Sequence, residues 1–108
     1  LVRYKWWYRH GYMSSTGECF DIGNGTRQAI EEFERRQNEF AKTRDIALEQ
    51  MDLPQDANQL EDFDVKCSEE GVAGNGGLTR LAPVPLFFHQ DAPMAVEYSG
   101  QSGQITHG

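Results

Sequence analysis

The stretch Gly71-Val72-Ala73-Gly74-Asn75-Gly76-Gly77-Leu78-Thr79-Arg80 constrains this chain more than any other. Its four glycines within residues 71–77 remove the side chains that would keep another molecule off the backbone. They also make positive φ accessible, so that consecutive amides can converge on one point. The run from Leu78 to Phe88 is mostly apolar and reads as a buried helix. That would set the loop at a helix N-terminus, where unpaired N–H groups and the helix dipole favour an anion. A diphosphate-bearing ligand fits such a loop. A tight turn between two buried elements fits the same composition.

With 108 residues the chain is at most one domain, and folded alone it would bury roughly two-thirds of its unfolded surface. A formal net charge of −7 argues against nucleic-acid or anionic-membrane partners. No apolar run is long enough to span a bilayer, and Leu1 to Tyr12 is aromatic and charged, unlike a signal peptide. Cys19 and Cys67 are far apart and match no zinc or redox spacing. Two free thiols in a cytoplasmic protein is the favoured reading, with a single bridge as the alternative.

Along the chain, Tyr4, Trp7 and Tyr8 share one helical face and read as aromatics packed into a core, with Gly11 breaking the pattern. A second glycine-spaced turn, Asp21-Ile22-Gly23-Asn24-Gly25-Thr26, follows, and Asn24 or Thr26 can cap the next helix. That helix is predicted from about Arg27 to Ala41, with Ile30, Phe33, Gln37 and Phe40 as a sparse inner stripe and Glu31, Glu32, Glu34, Arg35 and Arg36 as a solvated face. Ile46, Ala47 and Met51 suit a short amphipathic helix ended by Pro54, and Asp56 to Glu70 reads as a loop or a short helix plus linker. Asp91 is placed to cap a last helix through Ala92, Pro93, Ala95, Val96 and Tyr98. No stretch reads as a strand. The expected fold is all-α, with function on the loops between helices.

Three polar turns are candidate sites: Asp21 to Thr26, Gly71 to Arg80, and Thr106-His107. Asp21 suits a general base, an acceptor for a sugar hydroxyl, or a helix cap. Asn75 suits tying the loop together or touching a ligand. Arg80 suits a bidentate phosphate contact or a salt bridge. The glycine loop is no P-loop, since no Lys-Ser/Thr follows it, and no carboxylate cluster has metal-ligand spacing.

Taken together, the turns resemble the ADP-ribosylglycohydrolase family. The matching segments are Trp7-Tyr8-Arg9-His10-Gly11-Tyr12, Gly17 to Thr26, Gly74-Asn75-Gly76-Gly77-Leu78-Thr79-Arg80-Leu81-Ala82-Pro83, and Ile105-Thr106-His107. Their order and spacing fit, and the resemblance covers nearly everything except Lys42 to Asp64. It implies part of a compact multi-helix orthogonal bundle with two magnesium ions beside a bound ADP-ribose. It also implies a hydrolase acting on N- or O-glycosyl bonds, which cleaves the ribose anomeric carbon from an ADP-ribosylated protein or small molecule. By position, Gly71, Val72, Ala73, Gly74, Asn75, Gly76 and Gly77 would wrap the diphosphate and distal ribose. Asp21 and Asn24 would stand near the reacting ribose or its leaving group. His107 would line the ligand cleft, with Glu70 a nearby carboxylate, and Arg80 counts among the substrate-binding residues.

The chain also departs from the family. A Thr-Asp-Asp motif ahead of the aromatic segment and an Asp-x-Asp-Thr motif after the Thr-His, which bind the metals, are both absent here. Thr79 stands where Met is usual, and Val72 and Ala73 where some members carry Ser and Tyr. Residues 1–108 are therefore expected to be the central part of such a domain, with both ends missing and no metal ligands of its own. Alone, this part should not turn over substrate. The alternative is a non-catalytic ADP-ribose-binding or structural, crystallin-like relative.

Overall fold

The computed structural model describes residues 1–53, 63–72 and 74–107. These residues are all-α: α1 (Val2–His10), α2 (Asn24–Arg44), α3 (Leu48–Met51), α4 (Gly76–Thr79), α5 (Pro83–Phe87) and α6 (Ala92–Gln104), with no strand among them. They form two units. The first comprises Leu1–Phe20 and Ile30–Val65, the second Asp21–Ala29 and Lys66–Gly108.

In the first unit, α1 ends where the sequence says it should. Gly11 adopts a left-handed φ of 68°, and a Cβ there would meet the Gly17 carbonyl oxygen at 2.0 Å, so no other residue fits. The aromatic face of α1 is only half-buried, which corrects the expectation of a packed aromatic core. Lys5 and Trp6 tie this helix to the end of α3: both donate to the Asp52 carboxylate, Trp6 Nε1 at 3.3 Å. Lys5 Nζ also donates to Gln37 Oε1 at 2.8 Å, and Gln37 Nε2 donates to Asp52 at 3.1 Å. Gln37 is thus a buried polar residue with both ends of its amide satisfied. Beside it Ile30, Phe33, Ala41 and Met51 are buried, and Phe63 packs edge-on against both Phe33 and Phe40.

Helix α2 is longer than the predicted Arg27 to Ala41 at both ends. It begins at Asn24, so Asn24 and Thr26 lie inside its first turn instead of ahead of it. It closes beyond Ala41 because Asp45 takes a left-handed φ of 52°. There Ile46 N–H reaches Ala41 O at 2.9 Å and Asp45 N–H reaches Lys42 O at 3.4 Å, the paired bonds of a Schellman end. Its outer face is laced as expected: Glu32 accepts from Arg35 and Arg36, and those guanidinium groups hold its carboxyl down at about 2. The short helix expected around Met51 is the single turn α3. The Pro54 stop, and the part of the predicted loop from Asp56 to Asp62, lie outside the described residues.

In the second unit the predicted buried helix from Leu78 to Phe88 is instead two short helices, α4 and α5, broken at 80–82. Proline explains the break. A continuous ladder would need N–H groups at Pro83 and Pro85, and neither exists. Pro83 therefore opens a new helix, where its missing donor costs nothing. The apolar side chains are not enclosed: Leu78 and Leu86 are each 72% exposed and Phe87 79%. Both short helices pack on α6, and Phe88 stacks on Tyr98 at 4.9 Å between ring centroids. Helix α6 starts as predicted, with the Asp91 carboxylate accepting from Met94 N–H at 3.2 Å and Pro93 in the first turn. It continues through Gly100 to Gln104, past the predicted end at Tyr98, because side chains from outside the helix hold its last turn.

Candidate functional site

The second unit brings together pieces of all three polar turns. The segment before the glycine loop is tied to the end of α6: Cys67 N–H donates to Ile105 O at 3.2 Å and Ser68 Oγ to Gln104 O at 3.3 Å. Cys67 is buried and Cys19 half-buried, and no disulfide joins them. Beyond α6, Thr106 and His107 continue the turn, their N–H groups reaching Gly103 O at 3.2 and 2.9 Å.

Arg80, just after α4, closes over this end. Its Nη2 donates to Ser102 O at 2.6 Å and Thr106 Oγ1 at 2.5 Å, and its Nη1 to Ser102 Oγ at 3.0 Å. A cation on the last carbonyls of a helix answers both their lone pairs and the negative end of the helix dipole. That is why α6 persists through two glycines, each of which weakens a helix by about 1 kcal/mol relative to Ala.

His107 is the centre on which the glycines converge. A Cβ added at Gly77 would lie 3.3 Å from His107 Cβ and Cγ, and one at Gly74 would lie 3.4 Å from Nε2. At Gly76 it would meet His107 Cε1 at 2.9 Å and Thr26 Oγ1 at 2.8 Å. At Gly25 it would meet Val72 Cγ1 at 2.6 Å and His107 Nε2 at 3.4 Å. Four glycines from two turns thus form a backbone seat for one imidazole. Only Gly71, with φ 85°, uses the left-handed region that the loop was expected to exploit. The others are needed for close approach. The loop also does not sit on a long helix, since α4 is a single turn with little dipole of its own.

The ring is held from its other side by Thr106 Oγ1, 2.8 Å from Nδ1. Burial, and then the Arg80 charge, push the His107 pKa below the ordinary 6.5, so the ring is neutral near pH 7. A neutral imidazole on a side-chain-free seat can offer a hydrogen bond to a ligand lying along the glycine backbone.

Of the residues singled out in the sequence, the structure gathers Gly25, Thr26, Val72, Gly74, Gly76, Gly77 and His107, with Arg80 one residue removed through Thr106. Ala73 lies outside the described residues. A Cβ at Gly71 would meet nothing within 4 Å. Asp21 has a left-handed φ of 54°, a conformation Asp tolerates. Asn24 accepts from Arg27 at 3.1 Å, and Asn75 accepts Leu78 and Thr79 N–H through its carbonyl at 3.0 Å. Ser102 carries no signal in the sequence, and Thr106 stood out there only as the neighbour of His107. A groove in the first unit, walled by Phe40, Phe63, Arg36 and Thr43, contains none of the singled-out residues. No helix of the described residues is long and apolar enough to cross a membrane.

Against known proteins, the family model described as ADP-ribosylglycohydrolase matches residues 1–108. The chain is similar to the ADP-ribosylarginine hydrolase Tri1 of Serratia proteamaculans (strain 568), 32% identical over 108 residues, covering 99% of this chain and 22% of that protein. It is equally similar to the protein of the same name from Pseudomonas putida (strain GB-1), 32% identical over 107 residues with the same coverage, 99% and 22%. The chain therefore spans about a fifth of the length of these curated relatives. No solved structure matches it. The helices, the converging turns and a match along the entire sequence agree: the chain belongs to the ADP-ribosylglycohydrolase family.

Proposed function

We propose that this chain supplies ADP-ribose-binding loops to a hydrolase that cleaves the bond between the ribose anomeric carbon and an acceptor. ADP-ribosylarginine, the compound in the relatives' names, is the substrate class. Residues 1–108 are then one part of a larger domain. The observation that carries the reading is the neutral His107 imidazole seated on four glycine backbones. A ligand rich in acceptor oxygens suits a wall made of backbone and one ring N–H better than an apolar ligand does. On this reading Gly71 to Gly77 face the diphosphate and His107 lines the cleft. Asp21 and Asn24 serve the reacting ribose or its leaving group, and Glu70 is a further carboxylate nearby.

Magnesium enters through the family. Among the described residues no three His, Cys, Asp or Glu side chains are grouped to hold a metal ion, so these residues do not fit one. Their part in the reaction is to bind and orient the ligand.

Titration of ADP-ribose into the chain, followed by calorimetry, tests the binding. Saturable binding that Gly77→Ala weakens is expected, and a folded chain with no ADP-ribose affinity would defeat the reading. Assay of ADP-ribosylarginine with magnesium tests the partial domain. The 108 residues alone should give no turnover, and turnover by them would refute that part of the proposal.

A further inference from the structure

Thr106 is wholly buried, at 0% exposure, so its hydroxyl hydrogen needs an acceptor. Its oxygen already accepts from Arg80 Nη2 at 2.5 Å. The remaining neighbour is His107 Nδ1 at 2.8 Å, and no other acceptor stands by among the described residues. The hydroxyl hydrogen must therefore point at Nδ1, which makes Nδ1 an acceptor and leaves the ring proton on Nε2. The opposite tautomer would set two hydrogens against one bond and strand the threonine hydrogen in the interior.

We propose that Arg80 and Thr106 are positioning residues that fix His107 as the Nε2–H tautomer, so that the site presents a hydrogen-bond donor to an acceptor oxygen of its ligand and not a base. The chain of donors runs one way: guanidinium to hydroxyl, hydroxyl to Nδ1, Nε2–H outward. Nε2 makes no hydrogen bond among the described residues, and a Cβ at Gly25, Gly74 or Gly76 would lie 3.4 Å from it, so that a side chain there would stand over that edge. Arg80, whose Nη2 hydrogens are engaged by Ser102 O and Thr106 Oγ1, acts on the ring through Thr106. The low His107 pKa agrees with this role, since a donor that stays neutral keeps one tautomer across the neutral range.

The inference rests on the proposed ADP-ribose site only for the identity of the ligand, and its first test needs no ligand. Two-dimensional ¹H–¹⁵N correlation of the histidine ring nitrogens in the 108-residue chain reads the tautomer directly. The wild-type His107 should show a protonated Nε2 and an unprotonated, hydrogen-bonded Nδ1. Thr106→Ser should keep that pattern, and Thr106→Val and Arg80→Met should lose it towards a mixture. A wild-type spectrum with the proton on Nδ1 overturns the proposal, whatever the variants do. So does a Thr106→Val spectrum unchanged from wild type. With ADP-ribose as the probe, Thr106→Val should weaken binding by about fivefold to tenfold, the scale of one misdirected hydrogen bond, and Thr106→Ser should not. Equal weakening by both variants would assign Thr106 to packing and overturn its positioning role. A correct tautomer in a chain that does not bind ADP-ribose would sink the ligand and leave the donor geometry standing.

Discussion

Replacing glycine by alanine should have opposite signs at two helical positions of the second unit. At Gly100, inside α6, an added Cβ meets nothing within 4 Å. The change removes unfolded-chain entropy without a clash and should stabilise by about 0.5–1 kcal/mol. At Gly76 the same methyl would stand 2.8 Å from Thr26 Oγ1 and 2.9 Å from His107 Cε1. Thr26 can turn about χ1. The ring cannot easily retreat, because Nδ1 is tied to Thr106 at 2.8 Å and Gly77 stands against its Cβ and Cγ. Moving it sacrifices that hydrogen bond, about 1 kcal/mol, on top of the usual 1–3 kcal/mol of overpacking. Against this, Gly76 is the first residue of a one-turn helix, so the helical gain there is small. The net expectation is a loss of about 2–4 kcal/mol, a separation of roughly 2.5–5 kcal/mol from Gly100→Ala. Urea unfolding followed by ellipticity at about 222 nm, fitted with a shared slope, resolves a difference of that size. A Gly76→Ala chain as stable as wild type would refute the claim that the glycine seat is there for the ring.

Three further outcomes follow from the same geometry. Burial alone would raise the Asp52 pKa, but hydrogen bonds from Lys5, Gln37 and Trp6 hold it below the ordinary 3.8. Its stabilisation is therefore full above that value and lost as pH falls through the lower folded value, and acid unfolding of Asp52→Asn should lack this component. At pH 7 the same variant, which strands Lys5, should cost about 1–3 kcal/mol by urea unfolding. His107, depressed by burial and by Arg80, should titrate below 6.5 in its ring proton shifts, and its contribution to stability should be full above 6.5 and fade as pH falls through the folded value. Asp91→Ala removes the acceptor for Met94 N–H and should cost about 0.5–2 kcal/mol, read as a lower urea midpoint with unchanged slope.

The all-α fold was legible because Ile30, Phe33 and Gln37 keep helical spacing and because Gly11 and Asp91 are strong local end signals. What local pattern cannot carry is context. The far end of α2 is closed by an aspartate in a glycine's conformation, which nothing in the run Arg44-Asp45-Ile46 announces. The two-proline run was apolar enough to look like one helix, and only the missing N–H groups divide it. Gln37 looked like a weak member of an apolar stripe because its partners, Lys5 and Asp52, are remote in sequence. The glycine turns and the Thr-His pair were visible as separate candidates. That they meet on one imidazole, through close approach and not through positive φ, is a property of tertiary packing. Arg80 was read as a phosphate ligand or an ion-pair partner, and its contacts to Ser102 and Thr106 at a helix end had no signal in the local pattern.

The seat around His107 also has a kinetic meaning. Its parts come from Gly25, the loop at 74–77 and His107, so closing it joins segments separated by most of the chain. Such contacts bear a large loop-closure entropy and tend to form late, after local helices such as α2 have condensed. On the ribosome, Gly25 and the glycine loop leave the tunnel well before His107 arrives to fill their hollow. A late-forming site of this kind writes its energy into the unfolding rate more than the folding rate. Substitutions in the seat should therefore shorten the lifetime of the native state while leaving the speed at which the chain reaches it almost untouched.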